Sequence, residues 1–258
     1  MTDARGAPGV ALVTGAAQRI GRALALELGQ LGYAVAVHYQ GSAGAAAETV
    51  AAIRAAGGRA EPFVADLAIE DQTRALVPQV TAALGPITCL INNASRFERD
   101  EVATATRASW DAHLETNLRA PFVLAQDMAA ALPRDTEANI VNLLDQRVWR
   151  LTPHFTSYTA SKFGLWGLTQ SLALALAPWV RVNAIGPGPA LPSPRQTDAQ
   201  FAAQCDRLPL RRGTTPDEIA AALRFILATR SLTGQMIALD GGQHLGWSFP
   251  HADPEPDE

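Results

Sequence analysis

The sequence has few cysteines, no long apolar run and no excess of charge of one sign. Its two cysteines, Cys89 and Cys205, have no partner spacing, so neither a disulfide framework nor a zinc site is expected. No apolar run approaches the roughly 20 residues of a membrane span, and the N-terminus lacks the basic start and apolar stretch of a signal peptide. We therefore expect a cytoplasmic protein that binds neither metal nor membrane.

Charge is nearly balanced over the 258 residues, with 21 basic and 25 acidic side chains. This balance argues against a general nucleic-acid-binding protein and leaves a small molecule as the expected partner. Because 48 % of the residues are apolar, the chain can bury one large core, and we predict a single α/β domain over residues 1–250. Residues 251–258 are acidic and contain prolines, which predicts a mobile tail.

Lysine is nearly absent, since 20 of the 21 basic residues are arginine and the remaining one is Lys162. A compact ammonium group perturbs a neighbour's pKa in a way that a planar guanidinium does not. Tyr158 lies four residues earlier, hence on the same face of a helix. The ammonium would favour the phenolate and lower the pKa of the phenol, producing an acid that can protonate an oxygen or nitrogen as hydride arrives. The alternative for a pair at this spacing is an ordinary surface pair.

Valine- and isoleucine-rich runs alternate with longer helix-like segments, which is the pattern of a parallel sheet with crossover helices. Predicted helices include Ile20–Leu31 and Ala45–Ala56, each followed by glycine. The segment Gly186–Pro194 contains four prolines and two glycines, so it is expected to be a loop over the site rather than a helix or central strand. The predicted strands are Val10–Thr14, Ala34–Tyr39, Ala60–Ala65, Ile87–Asn92, Asn139–Leu143, Val180–Ala184 and Met236–Leu239.

A glycine-containing turn joins the first predicted strand to the first predicted helix, and residues 14–21 read TGAAQRIG. Small residues let the backbone approach a pyrophosphate, and a helix N-terminus supplies free N–H groups and a positive dipole end. The second strand ends in HYQGS (residues 38–42), without the acid that usually holds the ribose 2′-hydroxyl of NAD. With Arg19 in the turn and Ser42 as a donor, the sequence favours NADP(H). Otherwise His38, Gln40 and Ser42 are solvated loop residues.

Together these residues resemble the short-chain dehydrogenase/reductase family over nearly the whole chain, from Val10 to Gly242. The resemblance implies a single Rossmann-like, doubly wound domain with a seven-stranded parallel sheet, helices on both faces and usually a homotetrameric assembly. The matching motifs are the turn at 14–21, Asp66-Leu67, Asn92-Asn93-Ala94, Asn117, Tyr158 with Lys162, Pro187-Gly188 and Asp240-Gly241-Gly242.

The same resemblance implies roles for single residues. Asp66 would meet the adenine, Asn117 would help hold a water-linked proton path, and Lys162 would bind the nicotinamide ribose hydroxyls. The residues expected to contact the cofactor are Gly15, Arg19, Ile20, Gly21, His38, Tyr39, Ser42, Asp66, Leu67, Asn93, Ala94, Ser95, Tyr158, Lys162, Pro187 and Gly188.

Two departures from the common family pattern resemble the pteridine reductases and bacterial dihydromonapterin reductases. Arg19 replaces the middle glycine of the turn, and Asp145 replaces the serine thirteen residues before the tyrosine. Phe97 adds a third match. In that subgroup the arginine faces cofactor phosphate and pterin, the phenylalanine stacks on the pterin, and the aspartate assists proton delivery. The expected substrate contacts are Arg19, Ser95, Phe97, Asp145 and Tyr158, and the expected catalytic residues are Asp145, Tyr158, Lys162 and Asn117.

Three functions follow from the sequence. The first is an NADPH-dependent reductase of a dihydropterin C=N bond, although Gly41 stands where the subgroup has a basic residue before the serine. The second is a carbonyl reductase, in which Asp145 marks a weakened site and Phe97 is a packed lid residue. The third is a protein that senses NADP(H) without turnover, which the intact set Asn117, Tyr158 and Lys162 argues against.

Overall fold

A single parallel sheet of seven strands organises the molecule, whose computed structural model describes residues 9–193 and 195–246. The strand order is β3-β2-β1-β4-β5-β6-β7, so the chain winds outward from β1 in both directions. This confirms the doubly wound fold that the resemblance implies. The strands are β1 (Val10–Val13), β2 (Ala34–Tyr39), β3 (Arg59–Val64), β4 (Ile87–Asn92), β5 (Ala138–Leu143), β6 (Val180–Pro187) and β7 (Met236–Leu239).

Helices cover both faces of the sheet, as predicted. Successive strand side chains point to opposite faces, so Ala11 and Val13 join one buried cluster while Val10 and Leu12 join the other. The first cluster packs under α1, α2 and α8, and the second under α3, α5 and α6. The helices are α1 (Arg19–Gln30), α2 (Ala43–Ala55), α3 (Glu70–Leu84), α4 (Arg107–Leu114), α5 (Ala120–Ala131), α6 (Thr156–Ala175), α7 (Asp198–Asp206) and α8 (Pro216–Ala228).

Most element boundaries lie close to those that the sequence predicts. The bounds of β2, β4 and β7 are as predicted, and those of the other strands differ at one or both ends. Helices α1 and α2 begin one and two residues earlier than predicted. Each is followed by a glycine with positive φ, 90° at Gly32 and 86° at Gly57, which is the conformation that ends a helix.

The segment predicted as a loop from Gly186 is partly a strand, and that prediction was wrong for its first two residues. Gly186 and Pro187 continue β6 and pair with Ala238 and Leu239 of β7. The N–H of Gly188 donates to Leu239 O, so the nitrogen of Pro187 faces the other side, where β5 has already ended. Proline is tolerated here because no partner strand needs its missing N–H.

Three further expectations concern the C-terminal tail, membrane spans and metal sites. The predicted tail at residues 251–258 lies outside the described residues. Within residues 9–193 and 195–246, no helix combines the length and apolarity that a membrane crossing requires. No group of three or more acidic, histidine or cysteine side chains that could hold a metal ion occurs in that part of the chain either.

Candidate active site

The glycine-containing turn lies at the carboxyl end of β1 and leads directly into α1. Gly15 has a φ of 62°, which favours glycine. A Cβ on Gly21 would lie 2.1 Å from the carbonyl oxygen of Gly15, so the turn can close only on a residue without a side chain. No described side chain caps α1, and its first turn contains no acidic residue. The unbonded N–H groups and positive dipole end of α1 are therefore available to an anion.

An open cavity of about 400 Å³ lies beside this turn. It brings together the carboxyl ends of β1, β2, β3 and β4 with the start of α1. Among the predicted cofactor residues, those that line it are Gly15, Arg19, Ile20, Gly21, His38, Asp66, Leu67, Asn93, Ala94 and Ser95. Lining residues that the sequence did not assign to the site are Gln18, Gln40, Ala65, Arg96 and Thr116. Each of the five adjoins a predicted residue in the sequence, which is the signal that could have found them.

Six predicted cofactor residues do not line this cavity. Tyr39 packs against the core cluster beneath α1 and α2, and Ser42 is the exposed residue before α2. The others, Tyr158, Lys162 and the pair Pro187 and Gly188, lie along α6 and the end of β6.

Asn93 and Thr14 hold the cavity wall in place. The Asn93 side chain donates from Nδ2 to the carbonyl oxygens of Thr14, at 2.9 Å, and Gly15, at 3.2 Å. In return, Thr14 Oγ1 accepts from the backbone N–H groups of Asn93 and Ala94 at 2.9 and 3.0 Å. The turn after β1 and the end of β4 are thus one rigid unit.

His38 uses both ring nitrogens inside the protein. Nδ1 accepts from the N–H of Gly15 at 3.0 Å, and Nε2 lies 3.1 Å from the carbonyl oxygen of Ala65, to which it must donate. The side chain is 2 % exposed, and burial lowers its pKa to about 4, although the contact with Ala65 and the charge of Asp66 oppose the shift. The ring is therefore neutral at pH 7 and braces the turn.

Tyr158, Asp145 and Lys162 lie close together at the end of β5. Tyr158 Oη donates to Asp145 Oδ2 at 2.9 Å, while Asp145 Oδ1 accepts from the N–H of Arg147 at 2.8 Å. Lys162 Nζ donates to the carbonyl oxygen of Leu143 at 2.8 Å and lies 5.7 Å from the centre of the Tyr158 ring. An acid, its carboxylate partner and a cation therefore lie next to one another.

The cation in this group is deeply buried. Lys162 is 3 % exposed, and burial lowers the pKa of its ammonium to about 8, against the opposing effect of the Asp145 charge. Most of the Lys162 population is still protonated at pH 7. The positive charge needed to favour a tyrosinate is thus present beside Tyr158 at neutral pH.

Asn117 lies where the helical stretch of residues 107–131 departs from α-helical geometry. It belongs to a π-helical segment, Glu115–Arg119, between α4 and α5. Such segments often occur at functional sites. Asn117 Nδ2 donates to Arg96 O at 2.9 Å and to Ser161 Oγ at 3.0 Å, while its Oδ1 accepts from the N–H of Arg96 at 2.7 Å. Asn117 therefore fixes the backbone beside Phe97.

Phe97 lies next to Tyr158, with ring centres 4.7 Å apart and ring planes at 71°. It also stacks on Phe155, with centres 4.5 Å apart and planes at 8°. Phe155 is 2 % exposed. Sequence reasoning missed this second ring, because Phe155 and Phe97 are far apart in the chain and belong to no shared motif.

A buried polar chain below Phe97 was also missed. Ser157 donates from its N–H to Asp100 Oδ1 at 3.0 Å and from its hydroxyl to Asp100 Oδ2. His113 Nδ1 lies 2.7 Å from Ser157 Oγ, and its Nε2 accepts from the N–H of Glu98 at 3.1 Å. Burial would raise the pKa of Asp100, but hydrogen bonds from Ser157 and Ser109 outweigh it and lower that pKa. The chain fastens the loop after β4 to α4 and α6.

The arrangement can therefore hold phosphates at one end and donate a proton at the other. The glycine-lined cradle at the start of α1 can hold an anion, because no described side chain caps the first N–H groups of this helix. The Tyr158 hydroxyl lies at the other end, beside a flat aromatic face.

Comparisons with known proteins agree with this geometry. A family model described as short chain dehydrogenase matches residues 9–201. The 3-oxoacyl-[acyl-carrier-protein] reductase FabG of Staphylococcus epidermidis is 31 % identical over 240 residues, covering 91 % of this chain and 98 % of that protein. The probable galactose dehydrogenase GalD of Rhizobium meliloti is 33 % identical over 243 residues, or 90 % of this chain and 93 % of that protein.

Solved structures match more strongly. The FolM alternative dihydrofolate reductase 1 from Brucella canis, complexed with NADP, is 46 % identical with a TM-score of 0.91, covering 96 % of this chain and 98 % of that one. The Brucella suis protein of the same description, also in complex with NADP, is 47 % identical with a TM-score of 0.90, covering 94 % and 97 %.

Proposed function

The chain belongs to the short-chain dehydrogenase family, and from this membership we propose that it is an NADPH-dependent reductase of a dihydropterin C=N bond. The observation that carries the proposal is the 2.9 Å hydrogen bond from Tyr158 Oη to the Asp145 carboxylate, next to the Phe97 ring. The class of the enzyme, an NADP-dependent oxidoreductase, follows from the family and from the NADP-bound solved relatives. The identity of its substrate is the part that we propose.

The cavity residues fit NADP(H). The start of α1 with Gly15 and Gly21 would hold the phosphates, Asp66 would meet the adenine, and Lys162 would bind the nicotinamide ribose. When bound, the nicotinamide supplies the hydride. The roles of the chain's own residues concern binding, orientation and the proton.

Reduction of a C=N bond requires a proton at the ring nitrogen, and we assign the donation of this proton to Tyr158. Lys162 favours the tyrosinate that remains after the donation. Asp145 can hold a proton and pass it on, either directly or through Tyr158, because its Oδ2 already accepts from the phenol. A serine at this position could only orient a carbonyl oxygen. An aspartate therefore suits a C=N substrate better than a C=O substrate.

A planar pterin also needs a face on which to stack and polar groups at its edge. Phe97 supplies an aromatic face, worth roughly 1 kcal/mol beyond area burial. Arg19 and Ser95 line the adjoining cavity and would hydrogen-bond the pterin edge. The solved structures named alternative dihydrofolate reductase, at 46 and 47 % identity, support this choice of substrate.

A second candidate is a carbonyl reductase. It is favoured by relatives named 3-oxoacyl-[acyl-carrier-protein] reductase at 31 to 33 % identity. Arg19 and Asp145 depart from the common family pattern and Phe97 matches the pteridine reductase subgroup, and these three residues together favour the pterin.

Steady-state kinetics with dihydropterins and with a panel of ketones distinguish the two candidates. We expect turnover of dihydropterins, with a higher kcat/KM for NADPH than for NADH. The variant Asp145→Ser should depress dihydropterin reduction while sparing or raising any ketone reduction, and Phe97→Ala should mainly raise the KM for the pterin. A wild-type enzyme that ignores dihydropterins, or equal losses on both substrate types, would favour the carbonyl reductase.

A homotetrameric assembly, a cytoplasmic location and a single domain ending near residue 250 stay predictions from the sequence.

A further inference from the structure

The segment that follows β6 reaches across the mouth of the site and is tied to it by two arginines. Arg19, the first residue of α1, donates from Nη2 to the carbonyl oxygens of Leu191 and Pro192 at 3.3 and 3.1 Å. Arg195 belongs to the segment itself and donates from Nη2 to the carbonyl oxygen of Phe97 at 3.3 Å. The second arginine therefore lies beside the aromatic ring of the proposed substrate site.

The two faces of the Phe97 ring have different neighbours. Phe155 lies parallel to one face at 4.5 Å, and the guanidinium carbon of Arg195 lies over the ring at 5.6 Å from its centre. Because Phe155 already fills the space above one face at stacking distance, the guanidinium must lie over the other.

Phe155 and Arg195 differ in how easily a ligand could displace them from the Phe97 ring. Phe155 is buried and is covered on its own far side by Arg147, whose guanidinium carbon lies 5.0 Å from the Phe155 ring centre. Arg195 is exposed, and within the described part of the chain its side chain makes one hydrogen bond, of 3.3 Å to Phe97 O, which is close to the upper limit for such bonds. A flat ring can therefore reach Phe97 by displacing the Arg195 side chain, at low cost.

The charge of Arg195 is not balanced locally. The neighbouring Arg96 and Arg99 form ion pairs with Glu98, at 3.2 Å, and Glu101, at 2.9 Å. In the described ranges 9–193 and 195–246, by contrast, no carboxylate lies within ion-pair distance of the Arg195 guanidinium. A displaced Arg195 side chain is thus a cation at the mouth of the site, tethered within reach of whatever extends from the docked ring.

We propose that Arg195 is a specificity-determining residue that pairs with a carboxylate on the side chain of the pterin. The inference rests on the proposed pterin site and narrows its substrate to the folate type, in which the ring carries an acidic tail. In the free site the Arg195 guanidinium covers one face of the Phe97 ring. When the pterin ring stacks on that face, the guanidinium moves aside and binds the carboxylate of the pterin side chain. A planar guanidinium suits both positions, since it stacks on an aromatic ring and binds a carboxylate through two N–H groups.

The test compares 7,8-dihydrofolate, which has a carboxylate tail, with 7,8-dihydrobiopterin, whose side chain is neutral, in wild type and in Arg195→Gln. We expect kcat/KM for dihydrofolate to fall roughly tenfold or more, mainly through KM, because a charge-assisted contact is lost. The value for dihydrobiopterin should stay unchanged or rise, since nothing then competes for the Phe97 face. Arg195→Lys should restore part of the dihydrofolate value, and added salt should raise the KM for dihydrofolate in wild type more than in Arg195→Gln.

Arg134→Gln is the matched control, because Arg134 is exposed and lies before β5, at the amino ends of the strands, whereas the site lies at their carboxyl ends. This variant should leave kcat/KM unchanged for both substrates. Equal losses of kcat/KM on both substrates in Arg195→Gln would show that Arg195 only holds the loop. Unchanged kcat/KM for both substrates would show that it does not contact the tail. Either outcome overturns the inference while leaving the pterin site intact. A wild type that reduces neither pterin overturns the proposed function itself. Binding of folic acid and of biopterin to the NADP complex provides a readout that does not depend on turnover.

Discussion

At the scale of single residues, Tyr158 is distinguished by its surroundings. Its hydroxyl donates to Asp145, and the Lys162 ammonium lies 5.7 Å from its ring centre. The phenylalanine variant Tyr158→Phe keeps the ring and its contact with Phe97 but removes the transferable proton. We expect it to lower kcat roughly 10²-fold or more, in line with the usual contribution of a general acid. NADPH binding, measured by fluorescence, should stay near the wild-type value.

Tyr33→Phe is the control for this variant. Tyr33 directly precedes β2 and packs against the core cluster, at the amino ends of the strands and away from the site. Burial raises the pKa of its phenol. Loss of its hydroxyl should leave kcat unchanged. Near-normal turnover by Tyr158→Phe would mean that the phenol has no part in proton delivery.

Residue chemistry could be predicted where a motif or a compositional bias identified it. The scarcity of lysine pointed to Lys162, and its spacing from Tyr158 predicted a shared helix face. Asp100, His113 and Ser157 carry no such signal, because they are common residue types from three separate segments. Only the packing of the loop after β4 against α4 and α6 brings them together.

At the scale of elements, the junction between β1 and α1 depends on Gly21. A methyl group there would lie 2.1 Å from Gly15 O and 2.6 Å from Asn93 Nδ2, both parts of the cradle wall. Gly21→Ala should therefore push the turn away from α1 and weaken NADPH binding by at least tenfold, because the helix N-terminus and the turn no longer face one anion. Isothermal titration with NADPH measures the effect.

The matched substitution is Gly167→Ala in α6, where a Cβ would meet nothing within 4 Å. Alanine has the higher helix propensity, so this variant should unfold at the same or a higher denaturant concentration, with a free energy of unfolding up to roughly 1 kcal/mol larger. It should bind NADPH as wild type does. If Gly21→Ala bound NADPH as well as Gly167→Ala does, the close approach of α1 to the turn would have no role in cofactor binding.

Elements were predictable where local pattern and tertiary pairing agree. The apolar core of each strand and the glycines after α1 and α2 carry local signals. The extension of β6 to Pro187 does not, because it depends on β7 offering Leu239 as a partner on one side and on β5 having ended on the other. The π-helical turn at Asn117 is likewise set by its hydrogen bonds to Arg96 and Ser161.

At the scale of the whole molecule, the parallel order of strands explains why distant motifs form one site. All seven strands run the same way, so the segments that follow β1 to β6 all lie at the carboxyl ends of the strands. The sequence could predict that these motifs gather at the carboxyl ends of the strands. The position of Arg195 over Phe97 could not be predicted, because no periodicity governs the path of the segment after β6.

The resistance of the whole molecule to acid should depend on His38, which links the segments after β1, β2 and β3. Its neutral ring accepts from Gly15 and donates to Ala65, and burial lowers its pKa to about 4 from an ordinary value of 6.5. Below pH 6.5 the unfolded chain takes up a proton that the folded state refuses. The stability that His38 contributes is therefore fully present above pH 6.5 and is lost as the pH falls towards 4. A shift of this size corresponds to about 2 kcal/mol lost between pH 6.5 and 4.5.

The variant His38→Gln isolates this contribution, since an amide can accept from Gly15 and donate to Ala65 without titrating. Urea unfolding at pH 6.5 and at pH 4.5 should show a loss in the free energy of unfolding that is about 2 kcal/mol larger for wild type than for His38→Gln. Buried carboxylates affect both proteins alike, so they cancel in the comparison. An NMR titration of wild type should show the His38 ring still neutral at pH 5.5. Equal losses in the two proteins, or a ring that is protonated at pH 5.5, would show that the imidazole does not hold the turn in its neutral form.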